Sequence, residues 1–137
     1  SEIDAYVDKF STIVVNKVLS SDWVPGAFEF LNANRYGQLF FLVSATPDTE
    51  LDLIISKLEL QNVFRSQSGS SRPKADFILE MVAKYCLPHS ECMMVGDSLA
   101  DLTAANDSGI DFVFRRSQGS TVDYDFHGHR VFDHFLD

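Results

Sequence analysis

The sequence predicts an α/β fold: a Rossmann-like parallel sheet with flanking helices. The first observation is a set of apolar runs too short for helices, Leu39–Val43, Cys92–Val95 and Asp111–Phe114. Runs of this kind are strands buried on both faces. The second is that amphipathic helical stretches separate them, an alternation that belongs to parallel sheets. The third is size. The chain has 137 residues, 45% of them apolar, with 12 Phe, 4 Tyr and one Trp, enough for one packed core.

In chain order, Ile3, Tyr6, Val7, Phe10, Ile13, Val14 and Val18 fall at three-to-four spacing, which predicts an amphipathic helix over 3–19. Ser21 to Gly26 breaks it, and a short second helix runs to about Arg35 with Gly37 as its stop. The Leu39–Val43 strand leads to Thr46 and Pro47, read as N-cap and first helical residue, and Leu51, Ile54, Ile55 and Leu58 give that helix its buried face. Val63–Arg65 is a short strand candidate, and Ser66 to Pro73 reads as a polar loop. A helix from Lys74 to about Cys86 turns Phe77, Ile78, Met81, Val82 and Tyr85 inward. The Cys92–Val95 strand ends at Gly96-Asp97, a helix runs from about Leu99 to Ser108 and stops at Gly109, and Asp111–Phe114 is the next strand. The tail beyond Arg116 carries no readable period.

Lys and Arg total 11 against 20 Asp and Glu, a formal charge of -9. That field repels phosphate backbones and argues against nucleic acid as a partner. A small phosphorylated metabolite stays admissible where a metal ion or a local lysine screens the charge. Cys86 and Cys92 form no C-x-x-C pair and are expected to be reduced, buried and small, which suits a cytoplasmic protein. No apolar run reaches the 18 residues of a membrane span, and Ser1 opens no signal peptide.

Ligands of open parallel sheets bind at the carboxyl ends of the strands. Ser44 ends one strand, Asp97 ends another, and Lys74 opens the helix between them. Ser44 offers a hydroxyl to a phosphate oxygen beside the backbone amides that follow Ala45. Lys74 is a cation where the helix dipole disfavours one, which fits a lysine that neutralises a bound anion. Asp97 and Asp101 are four residues apart across a strand-to-helix turn. Two carboxylates about 5 Å apart repel by roughly 3 kcal/mol at an effective dielectric near 20, a cost that a divalent cation with oxygen ligands removes. Each residue also has a plain structural reading: Ser44 in a turn, Lys74 solvated, Asp97 capping a helix and Asp101 a first-turn acid.

Taken in order, Leu42-Val43-Ser44-Ala45-Thr46-Pro47, Arg72-Pro73-Lys74 and Val95-Gly96-Asp97-Ser98-Leu99-Ala100-Asp101 resemble the second, third and fourth motifs of the haloacid dehalogenase-like hydrolase superfamily. Trp23-Val24-Pro25-Gly26-Ala27 resembles the step from helical cap to core in its phosphoglycolate-phosphatase-like branch, and Ala104 to Ile110 resembles the helix end after the fourth motif. The resemblance implies a Mg²⁺-dependent phosphate-monoester hydrolase core. It makes Lys74, Asp97 and Asp101 the catalytic set, Ser44, Ala45 and Lys74 the phosphate-binding set, and Asp97 and Asp101 a weak or partial Mg²⁺ site. Asp101 would support the metal or orient Lys74.

The same resemblance implies a first motif, a hydrophobic strand ending in D-x-D, whose leading aspartate attacks phosphorus. That strand normally lies mid-sheet, between those ending at Ser44 and Asp97. No such motif precedes Ser44, so the expectation is a core lacking its first strand. Residues 1–22 then form a residual cap helix and 23–137 the core. The gap is closed by direct pairing of the flanking strands, or by a strand from a partner or from a second copy in a homodimer. Such a chain retains little or no turnover alone, or serves as a non-catalytic module for ligand binding or protein interaction. Asp123-Tyr124-Asp125 lacks a leading apolar strand, and His127, His129, Asp133 and His134 lack a further well-spaced zinc ligand, so both are read as surface tail.

Overall fold

The computed structural model describes residues 8–16, 27–115 and 130–132. Its elements are β1 (Thr12–Asn16), α1 (Ala27–Ala33), β2 (Leu39–Val43), α2 (Asp48–Lys57), β3 (Ser66–Ser68), α3 (Lys74–Lys84), a 3₁₀ turn (His89–Glu91), β4 (Cys92–Gly96), α4 (Leu99–Ser108), β5 (Asp111–Arg115) and β6 (Arg130–Phe132). The strands form a single sheet in the order β3-β2-β1-β4-β5-β6, and every neighbouring pair is parallel. The α/β, Rossmann-like class read from the sequence is the architecture observed.

The N-terminal segment departs from expectation. Residues 12–16 are not part of a helix but form the central strand. Thr12 to Asn16 pair with Leu39 to Val43 on one side, and Thr12 to Val15 pair with Cys92 to Val95 on the other. The run Phe10 to Val15 is apolar or β-branched at nearly every position, so it satisfies a helical period and a doubly buried strand equally well. Two flanking strands with open hydrogen-bonding edges decide between them. The sheet therefore has no gap: the mid-sheet strand comes from this chain, not from a partner or a second copy. The expected cap-helix unit at 1–22 loses residues 12–16 to the core; the rest of it, 1–7 and 17–22, lies outside the described residues.

Smaller differences follow the same logic. The strand placed at Val63–Arg65 lies three residues later, at Ser66–Ser68, inside the segment read as a loop. Phe64 is buried as an anchor, and Arg65 N–H donates to the Phe40 carbonyl at 2.7 Å, which starts the pairing. A polar Ser-Gln-Ser strand is tolerated because it is the sheet edge. Helix α2 starts at Asp48, one residue later than read, with Pro47 at the cap position. Helix α3 ends at Lys84, and Cys86 is exposed rather than buried, with φ +53°. Residues 130–132 of the unreadable tail add β6 beside β5. Asp123, Asp125, His127, His129, Asp133 and His134 lie outside the described residues. Helix α4 spans the expected residues and stops at Gly109, whose φ of +74° is the left-handed cap that favours glycine.

Side chains alternate across the sheet into two cores. Ile13, Val15, Phe40, Leu42, Met93 and Val95 pack with Leu51 and Ile55 of α2 and Leu31 of α1. Val14, Phe41, Val43, Met94 and Phe112 pack with Phe77, Ile78 and Met81 of α3 and Leu102 and Ala105 of α4. No helix among the described residues is long and apolar enough to cross a membrane.

Ile13 is fully buried at the sheet centre, whereas Leu53 on α2 is 71% exposed. Ile13→Ala is expected to lower stability by about 2–5 kcal/mol, and Leu53→Ala by no more than about 0.5 kcal/mol. Urea unfolding followed by circular dichroism checks both. Equal losses would contradict the central placement of β1.

Candidate functional site

Three strand ends and three helix starts meet at the carboxyl edge of the sheet. Strand β1 delivers Asn16, β2 delivers Ser44, and β4 delivers Asp97 through Gly96. Helices α2, α3 and α4 begin there, so their positive ends face the same region.

Asp101 in the first turn of α4 is fully buried. Its Oδ1 accepts from Asn16 Nδ2 at 2.7 Å and from Lys74 Nζ at 2.9 Å. Its Oδ2 accepts from Asn16 Nδ2 at 2.6 Å and from the Asp97 backbone N–H at 3.0 Å. Two donors thus reach each oxygen, which satisfies a carboxylate that would otherwise be very costly to bury. Ser98 caps α4 by accepting the Asp101 N–H at 3.2 Å, which fixes the turn that aims the carboxylate. Gly96 makes the approach feasible: a Cβ there would lie 2.5 Å from the Asp101 Cβ and 2.6 Å from its Oδ2.

Ser44 is buried, and its Oγ accepts the Thr46 N–H at 3.0 Å, which leaves the hydroxyl proton to donate. Ser44, Ala45 and Lys74 line one cleft of about 380 Å³, together with Ser70, Arg72, Thr103 and Asp107. Arg72 also pairs with Glu80 and lies over the Phe77 ring. Of the residues expected from the sequence, Ser44, Ala45 and Lys74 share this cleft, and Asp101 lies behind it holding Lys74. Asp97 is at the turn, its backbone tied to Asp101.

One of the pair expected to hold a metal, Asp101, is surrounded by donors. A hard divalent cation needs oxygen ligands with open lone pairs. The Asp101 oxygens are committed to N–H donors, and the Lys74 ammonium already sits where the countercharge would be. Among the described residues no group of three or more His, Cys, Asp or Glu is placed to hold a metal ion. The Asp101 carboxylate, as arranged here, offers Mg²⁺ no open ligand. Asp101 meets Lys74 Nζ at 2.9 Å, a contact that suits the second of its two expected roles, orienting Lys74. Lys74 supplies the positive charge beside Asp101, with Nζ 2.9 Å from Oδ1.

Two residues escaped the sequence reading. Asn16 was hidden inside a segment read as helix; only its position at the end of a Val-Val run could have flagged it. Asp48 accepts the N–H groups of Gly69 at 3.2 Å and Ser71 at 3.0 Å. Bonds from the Ser71 side chain and from both backbone amides hold its carboxyl below the ordinary value of 3.8. Burial pushes the Cys92 thiol up, so it behaves as an inert core group.

A family profile described as haloacid dehalogenase-like hydrolase matches residues 1–114. The chain belongs to this family. The core domain assigned as a phosphoglycolate phosphatase from Streptococcus pneumoniae TIGR4 superposes with a TM-score of 0.70 at 19% identity, covering 93% of this chain and 91% of that one. A superfamily hydrolase from Ehrlichia chaffeensis gives 0.67 at 21% identity, covering 98% of this chain and 63% of that one. A 3-deoxy-D-manno-octulosonate 8-phosphate phosphatase from Moraxella catarrhalis, in complex with magnesium and phosphate, gives 0.58 at 14% identity, covering 85% and 72%. At these identities the likeness is one of fold. This haloacid dehalogenase-like chain spans 44% to 63% of the length of several superfamily hydrolases. No curated protein matches it.

Removing one partner of the buried pair strands the other charge. Asp101→Asn is expected to cost about 3–5 kcal/mol in denaturant unfolding, and a loss below about 1 kcal/mol would contradict the hub. Asp48 has its folded pKa depressed, so its stabilising contribution is present above the unfolded value and is lost as pH falls through the folded one. The stability gap between the wild type and Asp48→Asn should therefore close as pH drops below 3.8. Thermal melts between neutral and acid pH read it directly.

Proposed function

We propose that this chain is a phosphatase-fold module that binds phosphate or a small phosphate monoester without hydrolysing it. The observation that carries this reading is Asn16. It ends the mid-sheet strand between those ending at Ser44 and Asp97, where the family resemblance puts the attacking aspartate. A carboxamide lacks the charge and nucleophilicity of a carboxylate, and the Asn16 nitrogen donates to both Asp101 oxygens. The D-x-D pattern is replaced here by Asn16-Lys17-Val18, so the second aspartate that would serve as acid and base is a valine.

What remains suits an anion. The Ser44 hydroxyl and the Lys74 ammonium reach a cleft near the positive ends of three helices, against a chain charge of -9. Lys74 would carry the countercharge, and Asp101 would hold its ammonium toward the cleft. Binding by this set requires no metal. A second reading, the enzyme, is favoured by the chain's spanning only 44% to 63% of several superfamily hydrolases.

Calorimetric titration with inorganic phosphate is expected to show binding that is the same in Mg²⁺ and in EDTA. Ser44→Ala should weaken it by about tenfold, the scale of one charge-assisted hydrogen bond. The chain should release no p-nitrophenol from p-nitrophenyl phosphate above the buffer rate. Mg²⁺-dependent hydrolysis that is lost in Asp97→Ala would overturn the non-hydrolysing reading and favour the enzyme.

A further inference from the structure

We propose that Asp48 is a positioning residue for the anion cleft, strapping the loop that delivers Lys74 onto the turn that follows Ser44. The proposal rests on the phosphate-binding reading above. Asp48 opens α2, and its two carboxylate oxygens divide between two amides: Oδ2 takes Gly69 N–H at 3.2 Å and Oδ1 takes Ser71 N–H at 3.0 Å. Backbone bonds run alongside. Ser44 N–H donates to the Ser68 carbonyl at 3.0 Å, and Ser70 N–H donates to the Thr46 carbonyl at 2.9 Å.

The two segments are thus laced together from Ser44 to Asp48 on one side and from Ser68 to Ser71 on the other. Their backbones touch at Gly69, where a Cβ would lie 2.4 Å from the Thr46 carbonyl oxygen and 2.8 Å from the Asp48 nitrogen. Three residues beyond Ser71 stands Lys74, across the cleft from Ser44. This lacing fixes the backbone segments that carry Ser44 and lead to Lys74, while Asp101 holds the ammonium itself.

Asp48 is not among the residues that line the cleft, so it acts on a bound anion through Ser70, Ser44 and Lys74. A carboxylate beside an anion site is unfavourable by charge alone. Here its charge is spent on two amides, a task for which a carboxamide has one acceptor oxygen in place of two.

The test compares wild type, Asp48→Ala and Asp48→Asn by calorimetric titration with inorganic phosphate and by ¹⁵N spectra of the full 137-residue chain. Asp48→Ala is expected to weaken phosphate binding by about tenfold and to move the Gly69 and Ser71 amide protons upfield together. Asp48→Asn, which keeps one acceptor, should recover part of the affinity and one of the two shifts. A role confined to stability would move the unfolding midpoint but leave the phosphate affinity of the folded chain unchanged. The two failures read differently. If wild type and Asp48→Ala bind phosphate equally, only the proposal falls. If wild type binds no phosphate, the phosphate reading falls and takes the proposal with it.

Discussion

The buried carboxylate of Asp101 is the constraint on which the rest of this structure depends. A charge with no exposure to water is tolerable only if donors surround it. This one draws Asn16 from β1, Lys74 from α3 and the Asp97 amide from the end of β4 to a single point. Asn16 and Lys74 are far from Asp101 in sequence, and the carboxylate ties them to the end of β4 at the carboxyl edge of the sheet. Gly96 and Ser98 are the local conditions for it, one by clearing space and the other by setting the helix start.

The same hub shapes the chemistry. In a hydrolytic site of this family the acidic residues would hold a metal and a nucleophile would face the phosphorus. Here one acid is saturated by donors, and an amide ends the central strand. A lysine supplies the positive charge. On the proposed reading, helix starts, a hydroxyl and an ammonium serve phosphate recognition, and Asn16 stands where a covalent nucleophile would.

The legible parts of the fold were those where one reading satisfied every local rule. Leu39–Val43 and Cys92–Val95 are too short and too apolar for helices. Helix α4 has a capping serine, a left-handed glycine stop and nothing in conflict with them. Ser44, Lys74 and Asp101 stood out in the sequence because order along the chain carries information that no single residue does. Illegibility came from degeneracy. Phe10 to Val15 fits two periods, and Ser66–Ser68 reads as a loop until an edge with open carbonyls lies beside it. Asp48 was missed because a carboxylate in the first helical turn looks like an ordinary response to the helix dipole.

The sequence by itself determined the class of fold, the order of its motifs and the absence of a D-x-D before Ser44, because these rest on short-range periodicity and residue chemistry. The tertiary structure alone decided that residues 12–16 are the central strand, since two unpaired strand edges outweigh a helical period that packing leaves unused. It also decided what surrounds Asp101. Four residues of spacing suggested a metal pair with Asp97; in the fold, distant Asn16 and Lys74 both donate to the Asp101 carboxylate.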